Sequence, residues 1–139
     1  MDYLDASALV KRYVREGGSL LVRRLVTAGP VATSRLSEVE VASALVRRAR
    51  ELAFSSRERD RALTMLAADF DALHVVELVP EVTAIARALL LRGVLRASDA
   101  IQLASCLLLQ RELQVAVRFV VFDDRLREAA RTEGLSLLP

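Results

Sequence analysis

Short apolar runs of strand character alternate with longer helical stretches along the whole chain, and this alternation constrains the fold more than any other feature. The strand candidates are Asp2–Leu4, Val31–Thr33, His74–Glu77, Phe119–Phe122 and Ser136–Leu138. The helix candidates are Ser7–Val14, Ser19–Ala28, Leu36–Leu52, Ser56–Phe70, Glu81–Arg92, Asp99–Gln114 and Asp124–Glu133. Because alternation of this kind implies right-handed crossovers, we predict an α/β fold with a mostly parallel sheet covered by helices on both faces.

Length and composition favour one ordinary globular domain, residues 1–139, with no linker or internal repeat. Hydrophobic residues make up 53% of the chain and charged residues 27%, which is a globular composition and not a disordered one. No apolar stretch reaches the ~18 residues that a membrane span needs. The N-terminus has an acid at its second position and no basic segment, so we expect no signal peptide. We therefore expect a cytoplasmic protein with no membrane partner.

Four carboxylates, Asp5, Glu40, Asp99 and Asp123, stand where an α/β fold can turn them toward one point. Asp5 and Asp123 each end an apolar run and open a helical pattern, and ligands of open α/β sheets bind outside the carboxyl ends of the strands. Glu40 and Asp99 lie early in amphipathic helices. Four acids in one pocket repel one another unless a cation neutralises them, so the set predicts a Mg²⁺ or Mn²⁺ site suited to cutting a phosphodiester.

Each of these acids also has a purely structural interpretation. Asp5 precedes a helical run and is placed to be its N-cap, and Asp99 is a first-turn acid of the kind that the helix dipole favours. For the adjacent pair Asp123 and Asp124, we expect one residue to cap the last helix while the other faces the site. The pattern alone leaves these alternatives open.

Two helix starts have the spacing of a capping box, in which a serine precedes a glutamate by three residues. Ser55 and Glu58 form one such pair, and Ser37 and Glu40 form the other. The apolar neighbours of Glu40 place it near the buried stripe of its helix, where a carboxylate needs a partner such as a cation. Glu38 is the better candidate for the surface.

Other common catalytic side chains are scarce. Cys106 is the only cysteine and lies in a strongly apolar helical stretch, so we expect a buried, inert thiol. His74 is the only histidine and is predicted to begin a strand. The chain therefore offers no convincing Ser–His or Cys–His arrangement.

The formal net charge is +2, from 20 basic and 18 acidic residues. If the four acids belong to one metal site, the rest of the chain has 20 basic and 14 acidic residues. The resulting charge of +6 suits an anionic substrate such as nucleic acid. All of the basic residues except Lys11 are arginine. Arginine binds phosphate in bidentate fashion, but genome composition explains the same bias equally well.

Four blocks of sequence, in order and at the usual spacings, resemble the PIN-domain proteins, and within them the VapC-type toxins of prokaryotic toxin–antitoxin pairs. The blocks are Tyr3–Lys11 (YLDASALVK), Val39–Leu45 (VEVASAL), Leu95–Ala104 (LRASDAIQLA) and Phe122–Leu126 (FDDRL). The resemblance spans nearly the whole chain, and four ordered blocks are a specific signal.

The resemblance implies a three-layer α/β/α sandwich, a PIN-like domain, with an acidic pocket for Mg²⁺ or Mn²⁺. Asp5 and Asp99 correspond best to the metal ligands of the family, Glu40 matches its glutamate, and Asp123 matches its fourth acid. These four are also the expected catalytic residues. Ser7 matches the small hydroxyl residue beside the first aspartate, a minor contributor.

One position departs from the family pattern. The family often has threonine or serine two residues before the fourth acid, and here that position is Val121. The missing hydroxyl predicts weaker support of the metal at Asp123. Asp124 is a second carboxylate that could share the role of Asp123, and Arg96 is a candidate contact for the RNA backbone.

The function that the resemblance implies is that of a metal-dependent endoribonuclease toxin, which hydrolyses RNA to 3′-hydroxyl and 5′-phosphate ends and is neutralised by a cognate antitoxin. The alternative is a PIN-fold module that binds RNA or a partner and has weak or no nuclease activity. Apolar segments such as Glu81–Arg92 and Leu107–Leu109 predict a homodimer, an antitoxin groove or both, although core packing explains much of the same pattern.

Overall fold

The computed structural model describes all residues, 1–139, and is built on a five-stranded sheet in the order β3-β2-β1-β4-β5. The strands are β1 (Asp2–Leu4), β2 (Val31–Ser34), β3 (His74–Val76), β4 (Arg118–Val120) and β5 (Ser136–Leu138). Every neighbouring pair is parallel, so the predicted parallel sheet is confirmed. The fourth strand begins one residue earlier and ends two residues sooner than the apolar run that predicted it.

Seven α-helices connect the strands. They are α1 (Ala6–Leu9), α2 (Ser19–Ala28), α3 (Leu36–Arg50), α4 (Ser56–Ala72), α5 (Pro80–Arg92), α6 (Ala97–Leu113) and α7 (Asp124–Thr132). The prediction Ser7–Val14 was wrong in one respect, because the helix ends at Leu9 and continues as a 3₁₀ turn, Val10–Arg12. None of the helices is both long enough and apolar enough to cross a membrane.

Two buried cores lie on opposite faces of the sheet, because successive side chains of a strand point to opposite sides. Tyr3 and Phe119 pack under α5, α6 and α7, with their ring centres 5.5 Å apart. Leu4 and Val120 pack on the other face, under α1 to α4. These layers confirm the predicted α/β/α sandwich.

Only one of the two predicted capping boxes forms. Ser55 caps α4, and both reciprocal hydrogen bonds with Glu58 are present. Ser37 does not cap a helix, because α3 begins before it, at Leu36 as predicted, with Arg35 as its N-cap. Ser37 lies inside the helix, and its hydroxyl is buried.

The order of the strands reverses between the two central strands, β1 and β4. β1 is followed by β2 on one side, whereas β4 is followed by β5 on the other. A crevice opens at the carboxyl ends of the strands at such a point, and ligands of α/β proteins bind there. Asp5 directly follows β1, and Asp123 lies three residues beyond β4.

Candidate active site

A single cavity of about 520 Å³ at this edge of the sheet contains all four predicted acids. Ser7 and Arg96 also line it. The other lining residues are Ala6, Val94, Leu95, Gln102 and Arg125. Asp124 is exposed and lies outside this set. The structure thus brings together four carboxylates that are far apart in the sequence.

Asp5 is the most deeply buried of the four, with 4% of its surface exposed. It is the N-cap of α1 and accepts hydrogen bonds from the Ala8 backbone N–H (2.8 Å) and the Ser7 hydroxyl (2.7 Å). Burial nevertheless raises the pKa of Asp5 to about 6, and the negative charges of Asp99 and Glu40 act in the same direction. The Asp5 carboxylate therefore caps α1 and also lines the cavity.

Glu40 and Asp99 are half-buried and enter the cavity from α3 and α6. Burial raises the pKa of Glu40, and the charge of Asp99 raises it further, although the amide of Gln102 donates a hydrogen bond to Glu40 Oε2 at 2.8 Å. The pKa of Asp99 is raised by burial and by the charge of Asp123. Acids whose pKa values rise through burial and mutual repulsion mark candidate functional sites.

Asp123 is exposed and performs both roles that we expected Asp123 and Asp124 to divide. Its carboxylate accepts a hydrogen bond from the Leu126 backbone N–H at 2.9 Å, which caps α7, and it also lines the cavity. The expected division was wrong because Asp123 is the last residue before the helix, at the point where the chain leaves the sheet.

The all-oxygen donor set suits a hard cation such as Mg²⁺ or Mn²⁺. No three acidic, histidine or cysteine side chains are close enough together to form a ready-made metal cluster. This spacing is compatible with Mg²⁺, which keeps several of its waters and is bound through one or two carboxylates. The donors therefore fit the ion, although they do not form a closed cage.

Two polar residues that line the cavity, Gln102 and Arg125, were not predicted from the sequence. Gln102 follows Asp99 by three residues on α6, so helical spacing places it on the same face, and this signal could have revealed it. Arg125 follows Asp123 by two residues at the start of α7 and carries no comparable signal. Val121 is fully buried in the core under α5 to α7 and does not line the cavity.

The only cysteine and the only histidine of the chain lie outside the acidic cavity. Cys106 is buried, and burial raises the pKa of its thiol to about 12, which keeps it protonated. His74 begins β3, as predicted, and is exposed. Neither residue lines the acidic cavity.

The model of the PIN domain family matches residues 3–132. The chain belongs to the PIN domain family. Ribonuclease VapC46 of Mycobacterium tuberculosis strain H37Rv is 37% identical over 137 residues, which cover 98% of this chain and 95% of that protein. The resemblance to the VapC-type members is therefore confirmed.

A solved structure supports the fold of this PIN domain. VapBC2 from Rickettsia felis, bound to a DNA fragment from their promoter, superposes with a TM-score of 0.66. The match covers 99% of this chain and 98% of that one at 12% identity. At so low an identity, the match shows the shared PIN-like architecture and nothing about activity.

Proposed function

We propose that this PIN domain is a metal-dependent endoribonuclease toxin that hydrolyses RNA phosphodiesters and leaves 3′-hydroxyl and 5′-phosphate ends. The observation that carries the proposal is the open cavity lined by Asp5, Glu40, Asp99 and Asp123, in which burial and repulsion raise three pKa values. The relative at 37% identity is named a ribonuclease, which supports RNA as the substrate.

These four carboxylates are the proposed ligands of Mg²⁺ or Mn²⁺. When bound, such an ion would supply Lewis acidity for activating a water and for stabilising charge on the phosphate and the leaving oxygen. Hydrogen bonds within the protein orient two of these carboxylates. Ser7 and the Ala8 N–H orient Asp5, and the Leu126 N–H orients Asp123.

Arg96 and Arg125 are the proposed contacts for the RNA backbone. Both are exposed on the lining of the acidic cavity, and neither forms an ion pair within the protein. Free guanidinium groups beside the carboxylates can hold the phosphates that flank the scissile bond. They also offset the repulsion between RNA and the acids.

An antitoxin is the proposed protein partner, and a second cavity of about 820 Å³ is its proposed docking site. We call this cavity the basic groove. It is lined by five arginines, the single acid Glu58, and apolar side chains that include Val14, Phe54 and Met65; the arginines are Arg12, Arg15, Arg23, Arg48 and Arg61. Arg12 and Arg48 form ion pairs within the protein, whereas Arg15, Arg23 and Arg61 do not. An acidic, amphipathic protein segment matches these three charges and the apolar side chains beside them.

A homodimer is the proposed assembly, with residues 1–139 of each copy acting as one domain. Leu90, Leu91 and Val94 are exposed at the end of α5 and just beyond it, and Leu91 is 91% exposed. Apolar side chains grouped in this way are typical of protein contacts. Sedimentation equilibrium of the purified chain tests the assembly.

The alternative, a PIN-fold module that binds RNA or a partner without cutting, has one observation in its favour, because no three metal-binding side chains form a ready-made cluster. A cleavage assay decides between the two. Purified protein with Mn²⁺ is expected to cut RNA, EDTA is expected to stop cleavage, and the products should carry 5′-phosphates. Binding of RNA without cleavage at any Mn²⁺ concentration would establish the alternative.

A further inference from the structure

Gln102 is a buried amide that reaches the acidic cavity. It lies on α6 one turn after Asp99, and only 2% of its surface is exposed. A buried side-chain amide has two N–H donors and an acceptor oxygen, and leaving any of them without a partner is costly. Each polar group of the Gln102 amide is therefore expected to have a hydrogen-bond partner.

Every one of these groups is used. Gln102 Nε2 donates to Glu40 Oε2 at 2.8 Å and to Ser37 Oγ at 2.9 Å, and Oε1 accepts from the Tyr3 hydroxyl at 2.9 Å. Burial raises the pKa of Tyr3 well above its ordinary value, so the phenol keeps the proton that it donates. Because an ionised carboxylate only accepts, the NH₂ end of the amide must face Glu40.

The network continues to the sheet through two hydroxyl groups. Thr33 Oγ1 lies 2.7 Å from Ser37 Oγ and 2.8 Å from the Leu4 carbonyl oxygen. A hydroxyl has one proton and a carbonyl can only accept, so Thr33 donates to Leu4 and Ser37 donates to Thr33. Ser37 Oγ is then the acceptor that the second N–H of Gln102 needs.

Both ends of this network rest on β1. Tyr3 and Leu4 are its last two residues, and Asp5 follows them directly. Glu40 lies on α3, and the Gln102 amide connects it by hydrogen bonds to Tyr3 on the strand that precedes Asp5. Fully satisfied buried networks rigidify the groups that they join.

We propose that Gln102 is a positioning residue that fixes the Glu40 carboxylate relative to Asp5. Its amide donates to Oε2 of Glu40, and the second oxygen of that carboxylate remains available to a cation. The consequence for metal binding rests on the proposed function, whereas the placement of Glu40 does not. Partners that orient a metal ligand in this way typically change metal affinity by 10–100-fold when removed.

The test is a double-mutant cycle on Mn²⁺ affinity, measured by calorimetric titration. Gln102→Leu keeps the approximate volume and removes the amide, and it is expected to weaken Mn²⁺ binding by about tenfold or more. In a Glu40→Ala background, the same substitution should change affinity less than about twofold, because its target is absent. An equal loss in both backgrounds, or no loss in the wild-type background, overturns the proposal.

Two further variants separate positioning from a general effect on the fold. Leu103→Ala truncates the buried neighbour of Gln102 on α6 without removing a polar group, and it should leave Mn²⁺ affinity unchanged. Tyr3→Phe removes the hydroxyl that donates to Gln102 Oε1, and it is expected to weaken Mn²⁺ binding severalfold. If Gln102→Leu does not fold, an unchanged affinity in Tyr3→Phe overturns the proposal.

A readout without metal distinguishes this proposal from the proposed function. The carboxyl ¹³C resonance of Glu40 in EDTA-treated protein should shift in Gln102→Leu and Tyr3→Phe and should stay in place in Leu103→Ala. An unshifted resonance in both Gln102→Leu and Tyr3→Phe overturns the positioning role. A wild-type protein that binds no Mn²⁺ refutes the proposed nuclease but leaves this measurement decisive.

Discussion

Gly18 lies directly against the ring of Phe122, so close that any side chain at this position would displace the ring. A Cβ atom built on Gly18 would stand 2.5 Å from Phe122 Cε1, and the φ angle of Gly18 is +89°. The Lys11 ammonium lies 4.5 Å from the centre of the same ring. The loop before α2 therefore packs against the side chain that directly precedes Asp123.

Gly18→Ala should lower the free energy of unfolding by roughly 1–3 kcal/mol. The left-handed backbone disfavours alanine, and the added methyl group would clash with the Phe122 ring. Cleavage is expected to fall as well, because Phe122 directly precedes the proposed metal ligand Asp123. Gly17→Ala is the matched control, because its Cβ would meet nothing within 4 Å. Urea unfolding measures both variants, and equal stability of the two would contradict this account of Gly18.

Asp5→Asn should remove Mn²⁺ binding and RNA cleavage without harming the fold. Burial raises the pKa of Asp5 to about 6, whereas an unfolded aspartate titrates near ~3.9. The folded state therefore holds this proton more tightly, and the contribution of Asp5 to stability falls as the pH rises from about 4 through about 6. Above pH 7, the ionised group costs on the order of 3 kcal/mol.

Asparagine cannot ionise and still accepts the Ala8 N–H at the helix start. In EDTA at pH 7.5, Asp5→Asn is thus expected to be at least as stable as the wild type, and its advantage should shrink toward pH 4. Unfolding curves at several pH values measure the difference. A difference that does not change with pH would show that Asp5 has an ordinary pKa.

Added Mn²⁺ should stabilise the wild type, since an ion that binds only the folded state shifts the equilibrium, by about 2.7 kcal/mol at 100 times its Kd. Asp99→Asn should abolish this gain. Asp124→Asn is the control, because Asp124 is exposed and lies outside the cavity. Thermal melts with Mn²⁺ and with EDTA make the comparison, and a gain that survives in Asp99→Asn would place the ion elsewhere.

Arg96→Gln and Arg125→Gln should raise the KM for RNA while kcat changes little, because both side chains are proposed to hold flanking phosphates. Each loss should also reduce the slope of log affinity against log salt by about 0.7. Arg111→Gln removes the same charge near the far end of α6 and should leave KM and the slope unchanged. Salt-dependent RNA binding that is identical in all three variants would exclude the cavity arginines as contacts.

Arg15→Glu combined with Arg61→Glu should weaken capture of the cognate antitoxin by more than tenfold, since two repulsive charges would replace two attractive ones in the basic groove. Neither arginine forms an ion pair within the protein, so the fold should tolerate the change. Co-expression with the neighbouring open reading frame and affinity capture provide the assay. Undiminished capture would place the antitoxin on another surface.

The sequence by itself determined the order of strands and helices, because periods of 2 and 3.6 residues are local properties that a single chain displays. It also placed Asp5 at the end of a strand and predicted the cap at Ser55, whose partner Glu58 is only three residues away. Four ordered blocks then pointed to the family to which the chain belongs. Each of these signals depends on near neighbours or on a recurring pattern.

Tertiary structure decided which of these side chains meet. Tyr3 bonds to Gln102 across 99 positions of sequence, and Ser37 joins that network instead of capping a helix. The burial of Asp5, which sets its pKa, likewise depends on the helices packed around it. Such contacts follow from the order of strands in the sheet and from the faces that the crossovers cover, and local periodicity carries no information about either.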